Sequence, residues 1–130
     1  MSVRNKRNKM ELIKKSQIKV LSNPGVESAQ LLNPENSASE RVTITKVSVQ
    51  PGAEQPRHKH DSSEQIWICV SGNGVLLLAD GKEESFAPGD VARFADGDIH
   101  GLKNKSQEVF EYISVTSPPI NFGYAYKDKR

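Results

Sequence analysis

The chain holds three histidines, His58, His60 and His100, and their placement poses a chemical question. His58 and His60 are separated by one residue. In an extended segment, residues i and i+2 point to one face, so these two imidazoles can aim at a common point. Neutral imidazole nitrogens are good ligands for Mn, Fe, Ni, Cu or Zn. A third histidine on a neighbouring strand would complete a facial set, and His100 stands just past a β-type run at residues 91–94. Glu64 and Gln65 follow His60 and offer a carboxylate or an amide oxygen as a fourth ligand. Taken alone, His58-Lys59-His60 is equally compatible with surface histidines beside a turn.

The elements that must position these residues read as strands. Short β-type runs at residues 41–49, 65–70, 75–79, 84–87, 91–94 and 109–115 are separated by Gly, Pro, Asp and Asn. Asp80-Gly81 marks a tight hairpin. Strands recurring every 8–12 residues point to an all-β sandwich or barrel. One weak helical stretch is expected near residues 10–15. The segment 118–130, with Phe122, Tyr124 and Tyr126, reads as an extended arm that packs over the barrel or reaches a partner subunit.

Composition bounds the function classes. At 130 residues, with 35% hydrophobic and 26% charged residues, the chain suits one folded domain. No apolar run approaches the 18 or so residues that span a bilayer. The net charge of +2 conceals an uneven distribution. Residues 1–15 carry Arg4, Lys6, Arg7, Lys9, Lys14 and Lys15 against Glu11, and the remainder is mildly acidic. This basic tail lacks aromatics to stack on bases and lacks the apolar core of a signal peptide, so neither nucleic acid, nor membrane, nor secretion is expected. The single cysteine, Cys69, excludes an internal disulfide and reads as a small core residue in a reducing, cytoplasmic setting.

The spacing around the histidines resembles the two motifs of the cupin superfamily. Gly52 is followed by five residues, then His58-Lys59-His60, then Glu64 or Gln65, then Gly72. Gly89 is followed by five residues, then Ala95-Asp96-Gly97, then His100 and Asn104. Ala95 departs from the proline that the family usually has there. The resemblance implies a single-domain cupin, a double-stranded β-helix or jelly-roll barrel, over residues 16–116. Residues 1–15 would be a tail and residues 117–130 a C-terminal arm. It also implies one divalent transition metal, Mn, Fe, Ni or Zn, held by His58, His60, His100 and a fourth residue.

Two fourth ligands compete. Glu64 follows His60 after three residues, and a carboxylate is the family's usual ligand. Six residues separate Gln65 from Gly72, where the family glycine belongs, and this spacing favours Gln65. Strand parity makes the choice exclusive. If Gln65 points in, Trp67 and Cys69 do too. Some cupins with His, His, Gln and His around the metal act on unsaturated sugar acids. Trp67 and Arg93 are candidate substrate contacts, and Arg93 and Tyr112 candidate catalytic groups, each with a plain packing or surface-charge alternative. Asn104 is expected to be a structural turn residue.

The resemblance fits a metal-dependent enzyme of small molecules, working by Lewis-acid chemistry on a sugar acid or keto acid (isomerase or lyase steps) or by O2-dependent cleavage. A non-catalytic module that binds a small ligand or a metal is the alternative, and a metal-free structural cupin is a third. Small cupins are commonly dimers, so a homodimer is expected.

Overall fold

The structure, a computed structural model, describes residues 9–126 and 128–129. The strands are β1 (Val20–Asn23), β2 (Val26–Leu32), β3 (Thr43–Val49), β4 (Glu54–His58), β5 (Glu64–Ser71) and β6 (Gly74–Leu78), with inward and outward residues alternating cleanly along β3 and β5. They continue through β7 (Glu83–Phe86), β8 (Val91–Phe94), β9 (His100–Lys103), β10 (Phe110–Ser117) and β11 (Asp128–Lys129). One sheet has the order β11-β1-β2-β3-β10-β5-β8 and the other β4-β9-β6-β7. Each pairing is antiparallel. The expected all-β jelly-roll barrel is what the chain forms. Among the described residues no helix is long and apolar enough to cross a membrane.

The larger sheet is polar at one end of its inner face and apolar at the other. Its register aligns inward residues in rows across the strands. Thr43, Thr116 and Gln65 form one row, and Gln30, Thr45, Ser114 and Trp67 the next. Ser28, Val47, Tyr112 and Cys69 follow, and Val26, Val49 and Phe110 form the last. All of these side chains are buried. The apolar rows meet Leu76, Phe86 and Leu102 of the smaller sheet in one core. Close packing at the closed end requires Gly72, whose φ is +82° and where a Cβ would stand 2.6 Å from the Val109 carbonyl.

Several elements depart from expectation. β1, β2, β4 and β9 were not anticipated from the strand pattern. The helical stretch at residues 10–15 is absent; a single 3₁₀ turn forms instead at Lys15–Gln17. Residues 79–81 make the β6–β7 hairpin through a 3₁₀ turn with Asp80 at φ 59°. Of the basic tail, Arg4, Lys6 and Arg7 lie outside the described residues. The C-terminal arm folds back on the barrel as a 3₁₀ turn, Phe122–Ala125, followed by β11 on β1. Thr43 Oγ1 donates to the Ile120 carbonyl and accepts its N–H, at 2.9 and 3.0 Å, and Asn23 Nδ2 donates to the Ala125 carbonyl. The arm thus packs against its own barrel.

Candidate metal centre

β4 and β9 bring His58 and His100 face to face. The two strands pair regularly at Glu54–Lys103 and Gln55–Leu102, then slip by a bulge so that His58 opposes His100. Gly101 permits this slip. A Cβ there would meet the Gln55 carbonyl oxygen at 2.7 Å and the Arg57 nitrogen at 3.0 Å, so only glycine lets β9 approach the bulged backbone. His60 follows in the loop after β4, and its carbonyl accepts the Gly97 N–H at 2.8 Å. This bond ties the first histidine pair to the turn that carries the third.

That turn is built by a repeated device. In Ala95-Asp96-Gly97-Asp98, Asp98 Oδ2 accepts the Ala95 N–H at 2.8 Å, and in Ala87-Pro88-Gly89-Asp90, Asp90 Oδ2 accepts the Ala87 N–H at 2.9 Å. The Ala95 N–H is therefore used, whereas the proline usual at this place in the resembling family has none to give. The departure at Ala95 exchanges a rigid ring for a side-chain hydrogen bond.

The three imidazoles converge. Their centroids lie 4.4 Å (His58–His100), 5.1 Å (His58–His60) and 5.4 Å (His60–His100) apart. One ring nitrogen from each lies within 4.8 Å of the others. His58 Nδ1 donates to the Pro56 carbonyl and His100 Nδ1 to the Asp98 carbonyl, each at 2.8 Å. In both cases the acceptor is two residues earlier in the chain. A proton held on Nδ1 leaves the Nε2 lone pair free, the arrangement by which metal-binding histidines are oriented. Nε2 of His60 and of His100 is buried and has no hydrogen-bond partner. Unpartnered buried nitrogens are costly unless something else satisfies them, and this donor set fits a divalent transition metal.

Burial reinforces the neutral imidazole. It pushes His100 down to about 4, with His58 nearby as the next cause. It also lowers His58, and it lowers His60 together with the proximity of His58. Phe94 stacks on His100 at 4.4 Å, and Phe122 of the C-terminal arm meets His60 edge-on at 5.7 Å. These two rings shield the cluster from water, and neither was anticipated from sequence. Phe94 was findable by parity, since it pairs with Gln65 across β5 and β8.

Gln65 and Glu64 point to opposite sides. Gln65 is 4% exposed and lies in the inner row with Thr116, to whose Oγ1 its Nε2 donates at 2.9 Å. Its Oε1 accepts the Trp67 indole N–H at 3.0 Å. Indole only donates, so this bond fixes which end of the amide carries oxygen. Glu64 faces outward and pairs with Arg93 at 2.9 Å. Arg93 is thus not brought to the histidines; its side chain is 64% exposed on the outer face, because even-odd alternation along β8 turns it away from inward Phe94.

Trp67 and Tyr112 both lie inside. Trp67 is 5.3 Å from His100 and packs on Tyr112 at 4.2 Å between centroids. Tyr112 is fully buried, which raises its hydroxyl well above the ordinary range, and it donates to Gln55 Oε1 at 2.5 Å. A phenol so held is a neutral hydrogen-bonding group. Arg57 donates to the Leu78 carbonyl, and Lys59 pairs with Asp61, both outside the cluster. Asn104 is structural: Nδ2 donates to the Val49 and Glu108 carbonyls, and Oδ1 accepts from Ser106. Burial raises the Cys69 thiol to about 11, as suits a core residue. A cleft of about 460 Å³ opens beside His58, bordered by Gln55, Pro24 and Tyr126.

Comparison with known proteins agrees with this fold. The oxalate-binding protein of Thermotoga maritima is 28% identical over 90 residues, covering 69% of this chain and 74% of that protein. KdgF from Halomonas sp. superposes with a TM-score of 0.71 at 19% identity, covering 85% and 96% of the two chains. The polyketide cyclase RemF of Streptomyces resistomycificus superposes with a TM-score of 0.73 at 20% identity, covering 84% and 80%. At such identities the two structures speak to the fold alone. Residues 45–116, which contain both histidine motifs, match the Cupin domain family. The chain therefore belongs to the cupin family.

Proposed function

We propose that this protein binds one divalent transition metal through His58, His60 and His100, with Gln65 as fourth ligand, and acts on a small anionic or carbonyl molecule. The observation that carries the reading is the convergence of three imidazoles, one ring nitrogen of each within 4.8 Å of the others, with Nε2 of His60 and His100 buried and without partners. Gln65 is preferred to Glu64 because Glu64 is engaged with Arg93 on the outer face. The Gln65 carbonyl oxygen has a second lone pair beyond the one that Trp67 occupies.

A bound metal with open positions supplies Lewis acidity toward a carboxylate or carbonyl oxygen. A neutral amide among the ligands leaves that acidity less quenched than a carboxylate would. The chain's own residues hold the histidines neutral, orient Gln65 through Trp67 and Thr116, and exclude water with Phe94 and Phe122. Lewis-acid chemistry on a sugar acid or keto acid suits this setting. The test is turnover of a panel of such acids by metal-loaded protein under strict exclusion of oxygen. Activity that persists without oxygen and is lost in His60→Ala with the fold intact supports it. Activity only in the presence of oxygen would transfer the site to O2-dependent cleavage. Tight ligand binding without turnover would leave a binding module.

The assembly proposed is a homodimer. On β5 and β8, Ile68, Val70 and Val91 face outward, with Val91 63% exposed. Ile68 pairs directly with Val91, and the Glu64–Arg93 ion pair borders them. An apolar stripe beside both signs of charge is self-complementary under a two-fold axis, so a second copy of the chain fits it.

A further inference from the structure

The inner wall opposite the histidines carries polar groups that the fold does not use. Gln30 and Ser114 are buried, and both flank Thr45 in one row across β2, β3 and β10. Gln30 Nε2 donates to the hydroxyl and carbonyl of Ser28, yet its Oε1 has no partner. Ser114 Oγ likewise has none. The same row ends at Trp67, which lies against His100. The row that carries the unpartnered oxygens thus ends against the histidine cluster.

We propose that Gln30 and Ser114 form a hydroxyl-recognition wall, which selects a small polyhydroxylated acid whose carboxylate or carbonyl end is held at the histidines. This rests on the metal-site reading above. Gln30 Oε1 only accepts, so a ligand must bring a donor to it. A hydroxyl supplies that donor without bringing a charge that a buried carboxylate would have to balance, and no Asp or Glu is among the buried residues described. Ser114 can donate or accept. Gln30 and Ser114 stand two strand spacings apart, roughly 10 Å between backbones, so a ligand that meets both carries hydroxyls on more than one carbon. Oxalate has the carboxylates but no hydroxyl to offer.

The experiment is calorimetric titration of the full chain, stripped with chelator and reloaded with Ni2+, using galacturonate and oxalate as probes. The variants are Ser114→Ala and Gln30→Met. The expected result is galacturonate binding weakened about 3- to 10-fold in each variant, the loss of one hydrogen bond, with oxalate binding and Ni2+ content unchanged. Ser114→Ala removes a hydroxyl that bonds nothing in the fold, so it decides alone if Gln30→Met does not fold. Unaltered galacturonate binding in Ser114→Ala overturns the proposal. So does an equal loss for both probes, or wild-type protein that takes Ni2+ but not galacturonate. Wild-type protein that takes up no Ni2+ instead removes the metal reading, and the wall proposal falls with it.

Discussion

Gln65 and Trp67, two residues apart on one face of β5, are joined by a 3.0 Å hydrogen bond from the indole N–H to the amide oxygen. With Thr116 on the other end of the amide, Gln65 is held in one orientation inside the barrel. The strand thus spends its inward positions on Gln65, Trp67 and Cys69 and turns Ile66, Ile68 and Val70 outward. A strand that hides an amide and shows isoleucine is organised around a site rather than around its own burial.

Replacement of Gln65 separates ligand from scaffold. Gln65→Leu is expected to weaken divalent-metal binding about 10-fold or more in a chelator-competition titration. Trp67→Phe, which removes only the orienting N–H, is expected to weaken it within the roughly 10- to 100-fold range typical of residues that orient metal ligands. Gln65→Glu is expected to bind metal at least as tightly and turn over more slowly, because the added charge quenches Lewis acidity. Equal affinity in wild type and Gln65→Leu would remove Gln65 from the ligand set.

Gly101 tests whether the β4 bulge positions the site. Gly101→Ala forces a Cβ against the Gln55 and Arg57 backbone, which must shift and carry His58 with it. Metal affinity is expected to fall at least 10-fold while circular dichroism still reports a folded β protein. A variant with unchanged affinity would show that the bulge is incidental.

The buried histidines predict an acid-sensitive fold. In the folded chain His100 titrates near 4, and His58 and His60 are also lowered, whereas unfolded histidine titrates near 6.5. Between those values the unfolded chain binds more protons, so stability rises with pH. The contribution is fully present above about 6.5 and is lost as pH falls toward about 4. For metal-stripped protein, the urea midpoint is expected to drop from pH 7 to pH 4.5, and His100→Gln is expected to flatten that slope. Identical slopes in the two proteins would contradict the assignment.

The outer stripe of β5 and β8 predicts assembly. Light scattering is expected to give twice the chain mass for wild type and the monomer mass for Val91→Lys, with metal content unchanged. A wild-type monomer at micromolar concentration would discard the homodimer.

Much of this was readable in the sequence, for identifiable reasons. Residues 109–115 alternate cleanly and form β10, and the run 65–70 forms β5, because packed inner faces demand a period of two. β2 was missed because its inward residues include Ser28 and Gln30, which invert the usual pattern. β4 was missed because it carries Pro56 and Arg57 and is bulged. The three histidines were legible through spacing to glycines. The shielding rings were not: Phe122 is 22 residues past His100 and reaches His60 only because the arm folds back. The repeat of Ala-x-Gly-Asp at residues 87–90 and 95–98 was a usable turn signal, since each aspartate caps its own alanine.

His58, His60 and His100 are expected to hold one metal ion between them. Crystals of chelator-stripped protein reloaded with Ni2+, measured at the nickel absorption edge, test it most directly. A single anomalous peak is expected about 2.0–2.1 Å from Nε2 of all three histidines, absent in His60→Ala. A peak elsewhere, or none at full reloading, would contradict it.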